Sequence, residues 1–213
     1  MNSRTQRLHI AGPAGDIECA IDAPSTLPAR GVAVVCHPHP QHGGTLDNKV
    51  AQTLARAFVQ LGYHAVRFNF RGVGASAGLW DHGRGEVDDA LAVIHHQRSA
   101  GLPLVLAGFS FGAYVASLAA ARLPPDTRAE RLVLVGPAVQ NFAVAPVPAD
   151  TVLIHGEQDD VVPLAAIFDW ARPQALPVVV VPGTGHFFHG QLALLKQIIL
   201  GAWLARPPAA HAV

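Results

Sequence analysis

Strand-length runs of apolar residues recur along the sequence, and most of them are continuous rather than interrupted by polar residues at every second position. Typical runs are GVAVVC (31–36), PLVLAGF (103–109), RLVLVG (131–136) and TVLIHG (151–156). A strand that is apolar at nearly every position is suited to burial on both of its faces. Segments of helical periodicity separate these runs, so the pattern predicts an α/β fold with a mostly parallel sheet covered by helices.

The length of the chain, 213 residues, suits one domain with a large core. The pattern predicts that this domain spans residues 1–206 and that a flexible tail follows at 207–213. The long connection at 137–150 is too short for a separate cap domain. Near the start, IECAID (17–22) and GVAVVC (31–36) follow one another with no helix between them, which predicts an antiparallel hairpin that opens the sheet.

Charge and composition exclude several classes of function. The chain has 15 basic and 15 acidic side chains and no basic run, which argues against binding to nucleic acid or to an anionic membrane surface. The first ten residues lack the apolar core of a signal peptide, and no apolar run is long enough to span a membrane. Cys19 and Cys36 lie in apolar segments and are expected to be buried free thiols, with a disulfide as the alternative. We therefore expect a soluble, cytoplasmic protein, and nothing indicates a protein partner.

The pattern Gly-x-Ser-x-Gly occurs twice, at 74–78 and at 108–112. Serine hydrolases use this pattern to place a nucleophile on a strained turn between a strand and a helix, and the glycines leave room where the two elements cross. Ser110 has an apolar strand before it and the helical stretch AYVASLAAARL after it. Ser76 also follows a strand, but no apolar helical face begins after it. Ser110 is therefore the predicted nucleophile.

The first of the two stretches, GVGASAG (72–78), also matches the Gly-x-Gly-x-x-Ala turn of dinucleotide-binding proteins. That turn requires a helix that begins at the glycines and an acidic residue at the end of the next strand. The next strand ends in Gly108 and Phe109 instead. We interpret 72–78 as a tight loop in which Ser76 forms hydrogen bonds and which Arg71 anchors.

A serine nucleophile needs a general base, and the base needs a carboxylate that orients it. When the nucleophile follows a central strand, the acid and then the histidine come after later strands in the chain. Asp159 and Asp160 follow one such strand, and His186 and His189 follow the next. Because the carboxyl ends of parallel strands meet at one edge of a sheet, these side chains are expected to lie near Ser110.

Several stretches resemble motifs of the α/β-hydrolase superfamily. The Gly-Phe-Ser-Phe-Gly stretch at 108–112 is similar to the nucleophile motif, and RFNFRGVGASAG (67–78) is similar to the Arg-Gly-x-Gly-x-Ser loop after the fourth strand. HPHPQHGGTLDNK (37–49) resembles a narrower group of small, lidless bacterial hydrolases that are distantly related to dienelactone hydrolases. The resemblance implies a single-domain α/β-hydrolase fold without a cap domain. Dienelactone hydrolases carry a cysteine nucleophile, so Ser110 departs from them and their substrate cannot be transferred.

Two further motifs bear on the acid and the base. HGEQDDVVP (155–163) resembles the acid loop of the superfamily, His-Gly-x-x-Asp-x-x-Val-Pro, which implies Asp159 as the acid and leaves Asp160 as a neighbour. GTGHFFHG (183–190) resembles its histidine loop and implies His186 as the base.

An oxyanion hole needs two donors that point at the same place. One is expected to be the backbone N–H of Phe111, the residue after the nucleophile. The other is expected to come from the loop after the strand GVAVVC. Pro38 and Pro40 have no N–H group, so His39 between them is the candidate.

The clustered histidines allow a second interpretation, a metal site formed by His37, His39 and His42 with His186 and His189. No acidic or cysteine ligand accompanies them at a recognised spacing, so we predict neither a metal nor a cofactor.

Phenylalanines lie close to the predicted site in the sequence. Phe109, Phe142 and Phe187 are candidates for an apolar pocket that binds the substrate, with ordinary core packing as the alternative.

Together these residues predict a serine hydrolase that cleaves small or short-chain carboxylic esters through an acyl-enzyme. The same residues also serve thioesterases, amidases and peptidases, and a low-turnover binding scaffold is a further alternative. The expected partner is a small-molecule ester.

Overall fold

The computed structural model describes residues 5–98 and 101–204. The strands are Gln6–Gly12 (β1), Gly15–Asp22 (β2), Gly31–Cys36 (β3), Tyr63–Phe68 (β4), Leu104–Phe109 (β5), Arg131–Val135 (β6), Val152–Gly156 (β7) and Val178–Val181 (β8). The longer helices are Lys49–Gln60 (α1), Arg84–Gln97 (α2), Phe111–Arg122 (α3), Leu164–Ala171 (α4) and Leu192–Leu204 (α5). The strands form one sheet in the order β1-β2-β4-β3-β5-β6-β7-β8.

The sheet is parallel from β4 to β8 and antiparallel at its β1–β2 end, where β2 pairs antiparallel with both β1 and β4. This arrangement corrects the expected hairpin of 17–22 with 31–36. The hairpin is formed by β1 and β2, joined by a turn at residues 13–14, and β3 lies beyond β4. Strand β1 escaped the sequence analysis because it is an edge strand with mostly exposed residues, so it lacks a continuous apolar run.

The central strands alternate between two cores, which explains why they are apolar at every position. In β5, Leu104 and Leu106 face the core beneath α2, α3 and α4. Val105, Ala107 and Phe109 face the core beneath α1 and α5. The expected mostly parallel sheet flanked by helices is therefore confirmed.

The connections place a topological switch between β3 and β5. From β3 the chain passes through α1 to β4 on one side, whereas β5, reached through α2, lies on the other side of β3. Loops that leave neighbouring strands in opposite directions open a crevice at the carboxyl edge of a parallel sheet, where ligands bind. Ser110 follows β5, and His39 follows β3 by a few residues, so both lie at this edge.

No cap domain interrupts the fold. The connection between β6 and β7 contains neither a helix nor a strand, and the described residues form a single domain. Cys19 and Cys36 are buried and free, as expected. No helix in residues 5–98 and 101–204 is both long enough and apolar enough to cross a membrane. The predicted tail at 207–213 lies outside the described residues.

The close crossing of β5 and α3 can be tested with two glycine substitutions. A Cβ on Gly108 would lie 2.1 Å from the carbonyl oxygen of Gly112, whereas a Cβ on Gly201, in α5, would meet nothing within 4 Å. We expect Gly108→Ala to lower the free energy of unfolding by about 1–3 kcal/mol, because backbone must move. The control Gly201→Ala should raise it by about 0.5–1 kcal/mol, since alanine favours the helix. Urea denaturation measures both, and a Gly108→Ala variant as stable as the wild type would contradict the crossing.

Candidate active site

Ser110 occupies a strained turn between β5 and α3. Its backbone has φ 56° and ψ −118°, a conformation that residues other than glycine rarely adopt. The backbone N–H of Ser110 donates to Val135 O at 2.9 Å, and its carbonyl accepts from the N–H of Ala113 at 3.0 Å. These bonds fix the backbone of the turn, and Ser110 as a residue is 8% exposed. Strain of this kind is typical of an exposed nucleophile.

The structure brings Ser110, His186 and Asp159 into one hydrogen-bonded chain. Ser110 Oγ lies 3.0 Å from His186 Nε2, and His186 Nδ1 lies 2.7 Å from Asp159 Oδ2. Each residue follows a different strand, namely β5, β8 and β7. Gly136, after β6, lies beneath them with φ 50°, and a Cβ there would come within 3.4 Å of the His186 ring.

Asp159 is held as an ionised acceptor. Its Oδ1 accepts backbone N–H groups from Val161 at 3.0 Å and Val162 at 2.7 Å, which leaves Oδ2 for His186. Burial by itself raises the pKa of this carboxyl, but the hydrogen bonds from His186 and Val162 outweigh it, so the pKa lies below its ordinary value. An ionised carboxylate only accepts, so His186 Nδ1 carries a proton and Nε2 is free to accept from Ser110. The neighbouring Asp160 is exposed and takes no part in the hydrogen bonds that join Ser110, His186 and Asp159.

A second histidine, His155, supports the acid loop. It is fully buried, its Nε2 lies 2.8 Å from Val162 O, and the same nitrogen lies 3.5 Å from Asp159 Oδ2. Burial lowers the pKa of His155, although Asp159 acts against this. His155 is the first residue of the acid-loop motif, but no role was predicted for it from the sequence.

The two candidate oxyanion donors lie on facing elements. Phe111 is the first residue of α3, where a helix leaves backbone N–H groups without partners, and its N–H donates to no described residue. The His39 ring lies 5.2 Å from the Phe111 ring.

The loop at 38–44 leaves one backbone N–H unused. Pro38 and Pro40 have none. The N–H groups of residues 41–44 donate to Nδ1 or the carbonyl of His39, or to the carbonyl of Pro40. Within the described residues, the N–H of His39 therefore remains without a partner, as an oxyanion donor must in the absence of substrate.

The other histidines of the metal hypothesis are engaged differently. His37 is buried with both ring nitrogens near backbone groups, and His42 stacks on His39 with ring centroids 4.4 Å apart. His189 is exposed and its ring lies 5.8 Å from that of Phe187. Among residues 5–98 and 101–204, no three His, Cys, Asp or Glu side chains form a group able to hold a metal ion.

An aromatic wall lines the side of the site next to His39. Phe142, from the connection between β6 and β7, lies 5.0 Å from Phe111 and 4.9 Å from Tyr114. Trp80 lies 4.7 Å from His39 and 5.1 Å from Phe111. Phe142 was predicted from the sequence, but Trp80 was not. The only signal for Trp80 was a large aromatic residue two positions after Gly78, the last residue of the glycine-rich loop. The half-exposed rings of His39, Trp80 and Phe142 make this wall accessible.

The two remaining phenylalanines have different environments. Phe187 is 48% exposed and lies 5.1 Å from the His186 ring, so it can contact a substrate. Phe109 is fully buried in the core beneath α1 and α5, with its ring 4.8 Å from that of His186. The expectation that Phe109 lines a substrate pocket is therefore wrong, because its side chain supports the imidazole from the core and presents no surface.

The other Gly-x-Ser-x-Gly stretch, at 74–78, has a structural role. Ser76 Oγ donates to Asn69 O at 2.7 Å and accepts the N–H of Glu18 at 3.0 Å, which ties the loop to β2. Arg71 forms an ion pair with Asp89 on α2 at 2.8 Å. The predicted loop hydrogen bonds and the Arg71 anchor are confirmed.

Comparison with known proteins gives close relatives over nearly the whole chain. A lidless α/β serine hydrolase from Xanthomonas campestris is 39% identical, with a TM-score of 0.85 over 98% of this chain and 99% of that one. An α/β serine hydrolase homologue from Coxiella burnetii is 38% identical, with a TM-score of 0.80 over 92% of this chain and 96% of that one.

Sequence comparison agrees with the structural likeness. An uncharacterized protein from Rickettsia prowazekii (strain Madrid E) is 32% identical over 199 residues, 85% of this chain and 82% of that protein. Residues 28–149, more than half of the chain, match the hydrolase family described as serine aminopeptidase, S33. The chain therefore belongs to this family of serine hydrolases within the α/β-hydrolase superfamily.

Proposed function

We propose that the protein hydrolyses small, short-chain carboxylic esters through an acyl-enzyme formed on Ser110. The observation that carries the proposal is the hydrogen-bonded chain from Ser110 Oγ through His186 to Asp159, at 3.0 Å and 2.7 Å, on a strained strand-to-helix turn. A hydroxyl, a base and an orienting carboxylate in this geometry are the parts of nucleophilic acyl transfer.

The reaction begins when Ser110 Oγ attacks the ester carbonyl and His186 Nε2 takes the hydroxyl proton. Asp159 stabilises the imidazolium that forms and keeps Nδ1 facing the carboxylate. His186 then gives the proton to the leaving alcohol as the C–O bond breaks, which leaves Ser110 acylated. Water, deprotonated by the same Nε2, attacks the acyl-enzyme and releases the carboxylic acid, and the proton returns to Ser110.

In both tetrahedral intermediates the former carbonyl oxygen carries a negative charge. The N–H of Phe111 and the N–H of His39 are the proposed donors to that oxygen. Two features support this assignment: neither group donates to a described residue, and α3 begins at Phe111 with the positive end of its dipole. Donors that are already in place are not reorganised during the reaction.

The proposed substrate range follows from the open site and its walls. With no cap domain, the acyl or alcohol part contacts the aromatic wall on one side and Phe187 on the other. We propose Phe142, Trp80 and Phe187 as substrate contacts. Because the site is open, the part of a long acyl chain beyond these walls would contact little protein. We therefore propose small acyl groups as the preferred substrates.

We also propose the cytoplasm as the place of action. The support is that Cys19 and Cys36 are both free thiols, a state that reducing compartments maintain.

The nucleophile can be tested with the two serines of the Gly-x-Ser-x-Gly stretches. We expect Ser110→Ala to lower kcat for p-nitrophenyl acetate and butyrate by at least about 10⁴-fold, because no other group replaces the hydroxyl. The matched control Ser76→Ala should keep kcat and lower the free energy of unfolding by about 1–3 kcal/mol, since Asn69 and Glu18 lose a partner. Activity that survives Ser110→Ala would contradict the assignment.

The same preparations distinguish the alternative activities. A thioester and an aminoacyl p-nitroanilide, assayed beside the esters, report thioesterase and peptidase activity. Ester hydrolysis should have the highest kcat/KM. No Ser110-dependent turnover of any substrate in the wild type would favour a binding scaffold and refute the proposal.

The acid can be tested with two adjacent aspartates. In Asp159→Asn the N–H groups of Val161 and Val162 would hold the amide oxygen, so the amide NH₂ would face His186 Nδ1 and move the imidazole proton to Nε2. That tautomer cannot accept from Ser110, so we expect kcat to fall by about 10²–10⁴-fold. Asp160→Asn, at an exposed neighbour, should leave kcat unchanged. A larger loss of kcat in Asp160→Asn than in Asp159→Asn would show that Asp159 is not the acid.

A further inference from the structure

His37 is the first residue after β3 and begins the loop that carries His39. It is fully buried, and its ring lies 4.5 Å from the ring of Phe70, two residues after β4. It touches neither Ser110 nor His186 by any described hydrogen bond, and the proposed reaction gives it no step. A buried imidazole with two polar nitrogens nevertheless needs partners for both.

The partners of His37 determine which nitrogen carries the proton. The backbone N–H of Phe70 lies 3.1 Å from Nε2 and can only donate, so Nε2 is the acceptor. Nδ1 therefore carries the proton and donates to the carbonyl oxygen of Pro38 at 2.6 Å. Burial lowers the pKa of His37 to about 3, so this neutral form persists over the range in which enzymes of this kind work.

The carbonyl of Pro38 and the N–H of His39 belong to one peptide group. In a planar trans peptide the C=O and the N–H point in opposite directions, and the bond between these residues is trans. A group that holds the carbonyl therefore sets the direction of the N–H as well. The N–H of His39 is the one that the proposed mechanism directs at the oxyanion.

Other contacts confine this peptide and the next one, between His39 and Pro40. The His39 carbonyl accepts the N–H groups of His42 at 3.1 Å and Gly44 at 3.0 Å. A Cβ on Gly44 would lie 2.1 Å from Pro38 O, so the loop closes against that oxygen only because residue 44 is glycine. Between these contacts and His37, the peptide has little freedom to rotate.

We propose that His37 is a positioning residue for the oxyanion hole: by donating from Nδ1 to Pro38 O, and by accepting the Phe70 N–H at Nε2, it aims the N–H of His39 at the substrate. This inference rests on the proposed function, because it assigns a direction to a donor that acts only in acyl transfer.

Two conservative variants separate the two hydrogen bonds of His37. In His37→Asn the side-chain amide nitrogen takes the place of Nδ1 and can still donate to Pro38 O, but the Phe70 N–H loses its acceptor. In His37→Gln the amide oxygen takes the place of Nε2 and can accept from Phe70, but the donor to Pro38 is lost. The variants are measured for kcat and KM with p-nitrophenyl acetate, and for urea unfolding.

We expect His37→Gln to lose more activity than His37→Asn, and His37→Asn to lose stability. His37→Gln should lower kcat by about 10–100-fold and keep KM within about threefold of the wild type. A misdirected N–H stabilises the transition state less and leaves substrate binding largely unchanged. His37→Asn should keep kcat within about threefold of the wild type while unfolding at lower urea, because a buried N–H loses its partner. If His37 had only a structural role, the variant that loses more stability would also lose more activity.

The results distinguish failure of this inference from failure of the proposed function. Equal kcat in wild type and His37→Gln, or a larger loss in His37→Asn than in His37→Gln, would overturn the positioning role alone. A wild type without Ser110-dependent hydrolysis would overturn the proposed function and this inference with it.

A measurement on the wild type covers the case in which the variants do not fold. Long-range ¹H–¹⁵N correlation spectra distinguish the two neutral imidazole tautomers and the charged form. His37 should show a protonated Nδ1 and an unprotonated Nε2 from about pH 5 to about pH 9, without titration. A proton on Nε2, or a titration in that range, would contradict the hydrogen bond to Pro38.

Discussion

The geometry of the site depends on how closely the start of α3 approaches the ends of β3 and β5. Carbonyl oxygens of Cys36 and Gly112 lie within 2.2 Å of where a Cβ would stand on Gly112 and Gly108, respectively, so both positions require glycine. This approach forces Ser110 into its positive-φ turn and sets the first N–H groups of α3 beside the loop after β3. The turn that carries the proposed nucleophile and the proposed oxyanion hole therefore both depend on this one packing contact.

On both sides of this contact, hydrogen bonds determine the tautomer of a buried histidine. On one side, backbone N–H groups occupy one oxygen of Asp159, so the other oxygen faces His186 and determines its tautomer. On the other side, the Phe70 N–H determines the tautomer of His37, and the imidazole holds the peptide before His39. Backbone N–H groups thus determine which ring nitrogen carries the proton, directly in His37 and through Asp159 in His186. We propose that His186 then acts on Ser110 and His37 on the N–H of His39.

The sequence predicted the features that local patterns encode. Continuous apolar runs identified the buried parallel strands, and the choice between Ser110 and Ser76 followed from the elements that flank each serine. Features that arise from packing were not predictable in this way. The burial of Phe109 beneath His186 and the contact of Trp80 with His39 depend on which loops meet at the sheet edge. The edge strand β1 was missed because exposure on one side removes the continuous apolar signal.

The central claim, that Ser110 is the activated nucleophile of a hydrolase, is tested most directly by covalent labelling of the wild-type protein. A fluorophosphonate reacts with a serine only where a base and oxyanion donors activate it. After digestion, mass spectrometry should find the phosphonyl adduct on the peptide that contains Ser110, and prior heat denaturation should abolish it. An adduct on Ser76 or on another residue, or no adduct on the native protein, would contradict the claim.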